Sequence, residues 1–149
     1  MLNEDYKDIL RSLLRNRARF LVVGAYAMGV HGYPRATGDF DIWVEASLKN
    51  SQRIYRALSE FGAPLSKLTK RTFAGKSIVF QIGVPPRRID VITHIDGVTF
   101  DVAYRRRMQV TIEGLTIPFL SKRDLIRNKE ATGREKDRLD VKSLRRTCQ

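Results

Sequence analysis

The spacing of apolar residues changes along the chain, and each change marks an element. Between residues 4 and 14, Tyr6, Ile9, Leu10, Leu13 and Leu14 recur three and four apart, which predicts an amphipathic helix with Asn3 as its cap. The next apolar run, FLVVG, is continuous rather than periodic and ends on Gly24, as in a central strand entering a turn. AYAMGVH then allows about two turns of helix, closed by Gly32 and blocked by Pro34. Residues 37 to 45 alternate as a strand. Residues 51 to 61 return to helical spacing through Ile54, Leu58 and Phe61, with Gly62 as terminator. Strands are expected at 77 to 82 and 88 to 93, around a turn at 83 to 86, and again at 109 to 112 and 115 to 118, hinged at Gly114. A mixed stretch up to Tyr104 carries no clear period. Ser121 and Asp124 form a capping pattern for a helix over 121 to 129, and a last helix is expected over 135 to 144.

The alternation in RATGDFDIWVE sets Asp39 and Asp41 side by side on one strand face with Trp43, while Phe40, Ile42 and Val44 face the other way. One face is thus expected to pack on the core and the other to present the carboxylates. Two solvated acids on an open face would need no function. Aspartate is nevertheless depleted in strands, and like charges on one face repel, so the pair costs stability unless a cation lies between them. Asp90, in RRIDVIT, shares a face with Arg88 and Ile92. If the two strands are neighbours, three aspartates converge, and oxygen ligands of this kind suit Mg²⁺ or Mn²⁺. His31 and His94 lack ligand spacing, so zinc is not expected, and His31 reads as a helix-end packing residue. At Gly24 the absent side chain and the free N–H groups of a helix start can face an anion. GAYAMG, however, fits neither G-x-G-x-x-G nor the Walker A pattern, and a plain strand-to-helix turn is the more common explanation of such a stretch.

Length and composition narrow the setting. A chain of 149 residues is expected to form a single mixed α/β domain spanning 1–149, with a core at about 18–120 and a C-terminal helical segment at about 121–146. The lone cysteine, Cys148, excludes an intrachain disulfide, and the longest apolar run, 20 to 30, is short of the ~20 residues that span a bilayer. A cytoplasmic protein with no membrane partner is the expectation. The net charge is +12, from 28 Lys and Arg against 16 Asp and Glu, a field that attracts phosphates and nucleic acids. Arg105, Arg106 and Arg107 form one basic cluster, and residues 121 to 149 another. No aromatic residue follows Phe119 to stack bases in that segment, so a dedicated nucleic-acid-binding module is not the first choice.

The order of these features is specific: strand, glycine turn, helix, a strand with Asp-x-Asp, then a later strand with one Asp. In VVGAYAMGVHGYPRATGDFDIWV, RRIDVIT and RNKEATGREKDRLDVKSL the chain resembles the nucleotidyltransferase superfamily with the polymerase-beta-like catalytic core. It is most similar to small bacterial nucleotidyltransferases of abortive-infection and toxin-antitoxin systems. The resemblance implies a nucleotidyltransferase fold with a mixed central sheet flanked by helices. It implies two Mg²⁺ or Mn²⁺ ions held by Asp39 and Asp41, with Asp90 completing the site and helping to deprotonate an acceptor hydroxyl. Gly24 and Ala25 would hold the triphosphate of an NTP through the backbone, without the serine hydroxyl that many members have at the second position. Arg35, Lys129, Arg134 and Lys136 are candidates for neutralising phosphate, each equally readable as a surface cation or ion-pair partner. The implied reaction moves an NMP from NTP to an acceptor hydroxyl and releases pyrophosphate. The charge favours RNA or tRNA as acceptor; a partner protein of a toxin-antitoxin system, a small molecule, and a non-catalytic nucleotide- or RNA-binding role are the alternatives.

Overall fold

The computed structural model describes residues 2–146, so Cys148 lies outside the described residues. Helix α1 (Glu4–Arg15) leads into β1 (Phe20–Val23), which turns at Gly24 into α2 (Gly24–Val30). Then follow β2 (Asp39–Val44), α3 (Leu48–Phe61), a 3₁₀ turn (Thr72–Ala74), β3 (Val79–Ile82) and β4 (Arg88–Ile92). The chain ends through α4 (Phe100–Arg105), β5 (Met108–Ile112), β6 (Leu115–Phe119), α5 (Lys122–Thr132) and α6 (Glu135–Arg146). The six strands form one mixed sheet in the order β3-β4-β2-β1-β6-β5, with β1 antiparallel to β2 and parallel to β6, and β2 parallel to β4.

Strand alternation divides the core between the two faces of this sheet. Phe20 and Val22 of β1 and Phe40, Ile42 and Val44 of β2 point to the face covered by α1 and α3, where they meet Tyr6, Ile9, Leu10, Leu13, Ile54 and Leu58. Leu21, Val23 and Trp43 point to the opposite face and pack with Ala27, Met28, Ala103, Leu125 and Leu144 from α2, α4, α5 and α6. The open carboxylate face expected from the sequence is therefore corrected: Trp43 is buried and meets Phe100 edge-on at 5.1 Å. Only the Asp39 end of that face stays accessible, because α4 covers the other end.

Local chemistry explains most element ends. Asn3 accepts from the Tyr6 N–H and Ser121 from the Asp124 N–H, as their capping patterns predict. Helix α3 begins three residues earlier than expected because Ser47 caps it, accepting from the Asn50 N–H; Gly62 ends it in the left-handed conformation. Within the mixed stretch before Tyr104 lies α4, too short for a helical period to register. Tyr6 ties α1 to the site strands: its hydroxyl lies 3.1 Å from the carbonyls of both Pro86 and Arg88 and 3.4 Å from that of Gly38. One hydroxyl hydrogen is thus shared among the carbonyls that lead into β2 and β4.

Candidate active site

Register alone places the three aspartates. Parallel pairing of β2 with β4 sets Asp39 opposite Arg88, and Asp41 opposite Asp90, while β1 sets Val23 opposite Asp41. Side chains directly opposite share a face, so Asp39, Asp41, Arg88 and Asp90 form one patch where β1 gives way to α2. Gly24 borders it with φ +68°, and a Cβ built there would overlap the Asp41 carboxylate. A side chain at this position would therefore face two penalties, the left-handed backbone and the lost space.

The patch is strongly electronegative and partly dry. Burial pushes the Asp41 carboxyl up to about 6, reinforced by the negative charges of Asp90 and Asp39, with Arg88 opposing. Arg88 Nη2 donates to Asp39 Oδ2 and to Asp90 Oδ2, each at 3.1 Å. The cation that a strand carboxylate pair calls for is thus supplied from the adjacent strand. Asp90 Oδ1 is buried and lacks a hydrogen-bond partner among the described residues. That orphaned oxygen, the all-carboxylate donor set and the glycine cradle beside it fit a hard divalent cation. Among the described residues, however, no three His, Cys, Asp or Glu side chains are already arranged as a ligand group. The carboxylates are gathered, but around a guanidinium.

The four cations proposed for phosphate are placed differently from one another. Arg35, in the segment leading to β2, reaches Asp140 with Nη2 at 2.8 Å from Oδ1. Lys129 pairs with Asp137 at 3.2 Å and with Asp140 at 2.8 Å, and Arg134 pairs with Asp137 at 2.8 Å. Arg35, Lys129 and Arg134 therefore join α5, α6 and the β2 approach through two buried aspartates; against the upward push of burial, the Thr132 hydroxyl with Lys129 and Arg134 holds Asp137 below the usual range, and Arg35 with Lys129 does the same for Asp140. Lys136 is exposed and makes no ion pair among the described residues. Ala25, Arg35 and Thr37 line a cavity of about 610 Å³, otherwise mostly apolar, whose walls include Tyr26, Val30 and Ile112. His31 caps the end of α2 and donates from Nε2 to the Leu120 carbonyl at 2.8 Å; burial lowers its pKa, which suits a neutral packing residue.

Sequence reasoning passed over Arg88, Asp137 and Asp140 as site residues. For Arg88 the signal was present, since it lies two residues before Asp90 on a strand and so on the same face. For Asp140 the partner Arg35 is distant in sequence, whereas Arg134, three residues before Asp137, was a local pair within reach of sequence reasoning.

No protein-family model matches the sequence, and no curated protein is significantly similar to it. Among solved structures, the fold matches a crystal structure of a "putative nucleotidyltransferase" from Thermotoga maritima, with a TM-score of 0.57 over 98% of this chain and 94% of that one. At 18% identity the likeness is one of fold. The protein thus has a nucleotidyltransferase fold.

Proposed function

We propose that this protein is a nucleotidyltransferase that depends on Mg²⁺ or Mn²⁺. The observation that carries the reading is the register of β2 and β4, which sets Asp41 beside Asp90 and keeps Asp39 on the same face next to the Gly24 turn. Two bound ions would activate an acceptor hydroxyl and stabilise departing pyrophosphate. Asp39 and Asp41 would hold them, and Asp90 would complete the set and take up the hydroxyl proton. The first N–H groups of α2, which no side chain caps, leave Gly24 and Ala25 free to receive the triphosphate. Of the four candidates, Lys136 makes no ion pair among the described residues; Arg35, Lys129 and Arg134 act first by fixing the helices beside the site. The balance is NTP plus acceptor hydroxyl giving nucleotidyl-acceptor plus pyrophosphate. Incubating the protein with labelled NTP, Mg²⁺, total tRNA and a cell lysate tests this, since the labelled species names the acceptor. A labelled protein would favour a toxin-antitoxin type of target, and no labelled species in any fraction would contradict the proposal.

RNA is the acceptor class we favour, and we assign it to a surface other than Arg105–Arg107. Arg106 pairs with the buried Asp124 at 3.3 Å, and Arg107 lies over the Tyr104 ring at 4.1 Å while donating to the Tyr104 carbonyl. Both serve the fold. A concavity of about 380 Å³ is instead lined by Arg15, Arg17, Lys49, Arg53 and Arg56. Of these, only Arg15 has an ion-pair partner among the described residues, Glu60 at 3.1 Å. The concavity lies between the end of α1 and the first turns of α3. Replacing Lys49, Arg53 and Arg56 together by Ser is expected to flatten the dependence of tRNA affinity on log salt by up to about two to three units, since each lost phosphate contact removes roughly 0.7–0.9. Fluorescence anisotropy at several salt concentrations measures this, and an unchanged slope would remove the concavity from RNA binding.

A further inference from the structure

The patch that gathers three carboxylates also contains its own cation, and the way this cation is held is informative. Arg88 touches Asp39 and Asp90 through a single nitrogen, Nη2, at 3.1 Å to each. This is not the two-nitrogen fork by which arginine makes its strongest carboxylate pairs. Its Nε is buried without a hydrogen-bond partner among the described residues, as is Asp90 Oδ1. A guanidinium installed as a permanent brace would be expected to satisfy its own Nε and the free oxygen beside it. The two contacts are also unequal in access. The Asp90 side chain is 12% exposed, whereas those of Arg88 and Asp39 are 29% and 38% exposed, so the guanidinium has a path outward past Asp39. The Arg88 backbone is anchored in the β2–β4 ladder and beside the Tyr6 hydroxyl, so only the side chain needs to move.

We infer that Arg88 is an exchangeable stand-in for the metal: it neutralises Asp39 and Asp90 in the empty site, and on loading it leaves them and turns its guanidinium to the triphosphate. This rests on the metal-dependent reading above and adds a residue to it. While Arg88 occupies the carboxylates, a divalent ion binds only to the fraction of molecules in which it has left, which weakens the apparent affinity by that fraction. The released guanidinium then offers up to five N–H donors to phosphate oxygens, which draw it away from the carboxylates. Metal and triphosphate would thus favour each other's binding.

Arg88→Met, which keeps the apolar stem and removes the charge, tests this in the full-length protein, with Arg88→Gln as a second variant should the first fail to fold. Mn²⁺ binding is measured by the loss of the free-ion electron paramagnetic resonance signal, alone and with a non-hydrolysable NTP analogue. Two opposite changes are expected: Mn²⁺ alone binds about tenfold tighter to the variant, while the analogue with Mn²⁺ binds about tenfold more weakly. If both bind more tightly, Arg88 only repels cations and does not serve the triphosphate, which overturns the exchange. Unchanged or weaker Mn²⁺ binding overturns it as well, because Arg88 is then not in the way. Absence of Mn²⁺ binding to wild type and variant alike would remove the metal-site reading itself and the exchange with it, an outcome distinct from the other two.

Discussion

Asp41→Asn is expected to give a protein that no longer transfers nucleotides yet, without metal, is more stable than the wild type at neutral pH. Transfer should fall by on the order of 10³-fold or more, since a metal-held charge supplies several kcal/mol and each ~1.4 kcal/mol is tenfold. The stability gain follows from the Asp41 carboxyl, raised from 3.8 to about 6 first by burial and then by Asp90 and Asp39. Below about pH 4 the group is protonated in both folded and unfolded chains and costs nothing. As pH rises toward 6 the unfolded chain releases its proton while the folded one retains it, so stability is progressively lost, and above 6 the loss is complete. A shift of this size corresponds to roughly 2–3 kcal/mol. Asparagine keeps the shape and does not titrate, so its advantage should be full at pH 7–8 and vanish toward pH 4. Urea unfolding in the presence of a chelator across this range measures it. An active variant, or one with no pH-dependent advantage, would contradict the account of this residue.

Gly24→Ala is the second large effect. A Cβ at φ +68° adds a left-handed strain of about 1–2 kcal/mol, and it meets the Asp41 carboxylate directly. Asp41 must yield, and a displacement on the order of 1 Å at a reacting centre can cost about 10²-fold in rate. The two positions should therefore be coupled. In an Asp41→Ala background the carboxylate overlap is gone and only the close Cβ of residue 41, at 3.3 Å, remains, so the stability cost of Gly24→Ala should shrink toward the backbone strain. Chemical unfolding of the four proteins of this cycle provides the measurement. Equal costs in both backgrounds would show that the glycine serves only the turn.

Sequence pattern revealed the parts of this fold more readily than their arrangement. The β1 run, the Gly24 turn and the β2 alternation were legible because each depends on near neighbours in sequence: continuous burial, a backbone conformation, a period of two. The parallel pairings of β2 with β4 and of β1 with β6 join segments far apart in sequence, and nothing local encodes which strand adopts which neighbour. Trp43 illustrates the consequence. Its place on the aspartate face was readable, but its burial depends on Phe100 and Ala103, in a helix of six residues too short to show a period. The candidate site divides in the same way. Asp39, Asp41 and Gly24 stood out because carboxylates in a strand and a glycine at its end are locally unfavourable or permissive choices. Arg88 was readable as a neighbour of Asp90 on one strand face, but its pairing with Asp39 emerges only from the β2–β4 register. Arg35, Lys129 and Arg134 carried the right charge for phosphate, yet the two buried aspartates that bind them are recognisable only once α5 and α6 pack together.

The most direct measurement of the central claim compares NTP labelled on the α-phosphate with NTP labelled on the γ-phosphate, in the presence of Mg²⁺ and the acceptor, for wild type and Asp41→Asn. Nucleotidyl transfer at the three carboxylates predicts that the α-label moves to the acceptor, that the γ-label departs in pyrophosphate, and that both events disappear with chelator and in the variant. Transfer of the γ-label to the acceptor, or transfer of the α-label that persists in Asp41→Asn, would contradict it.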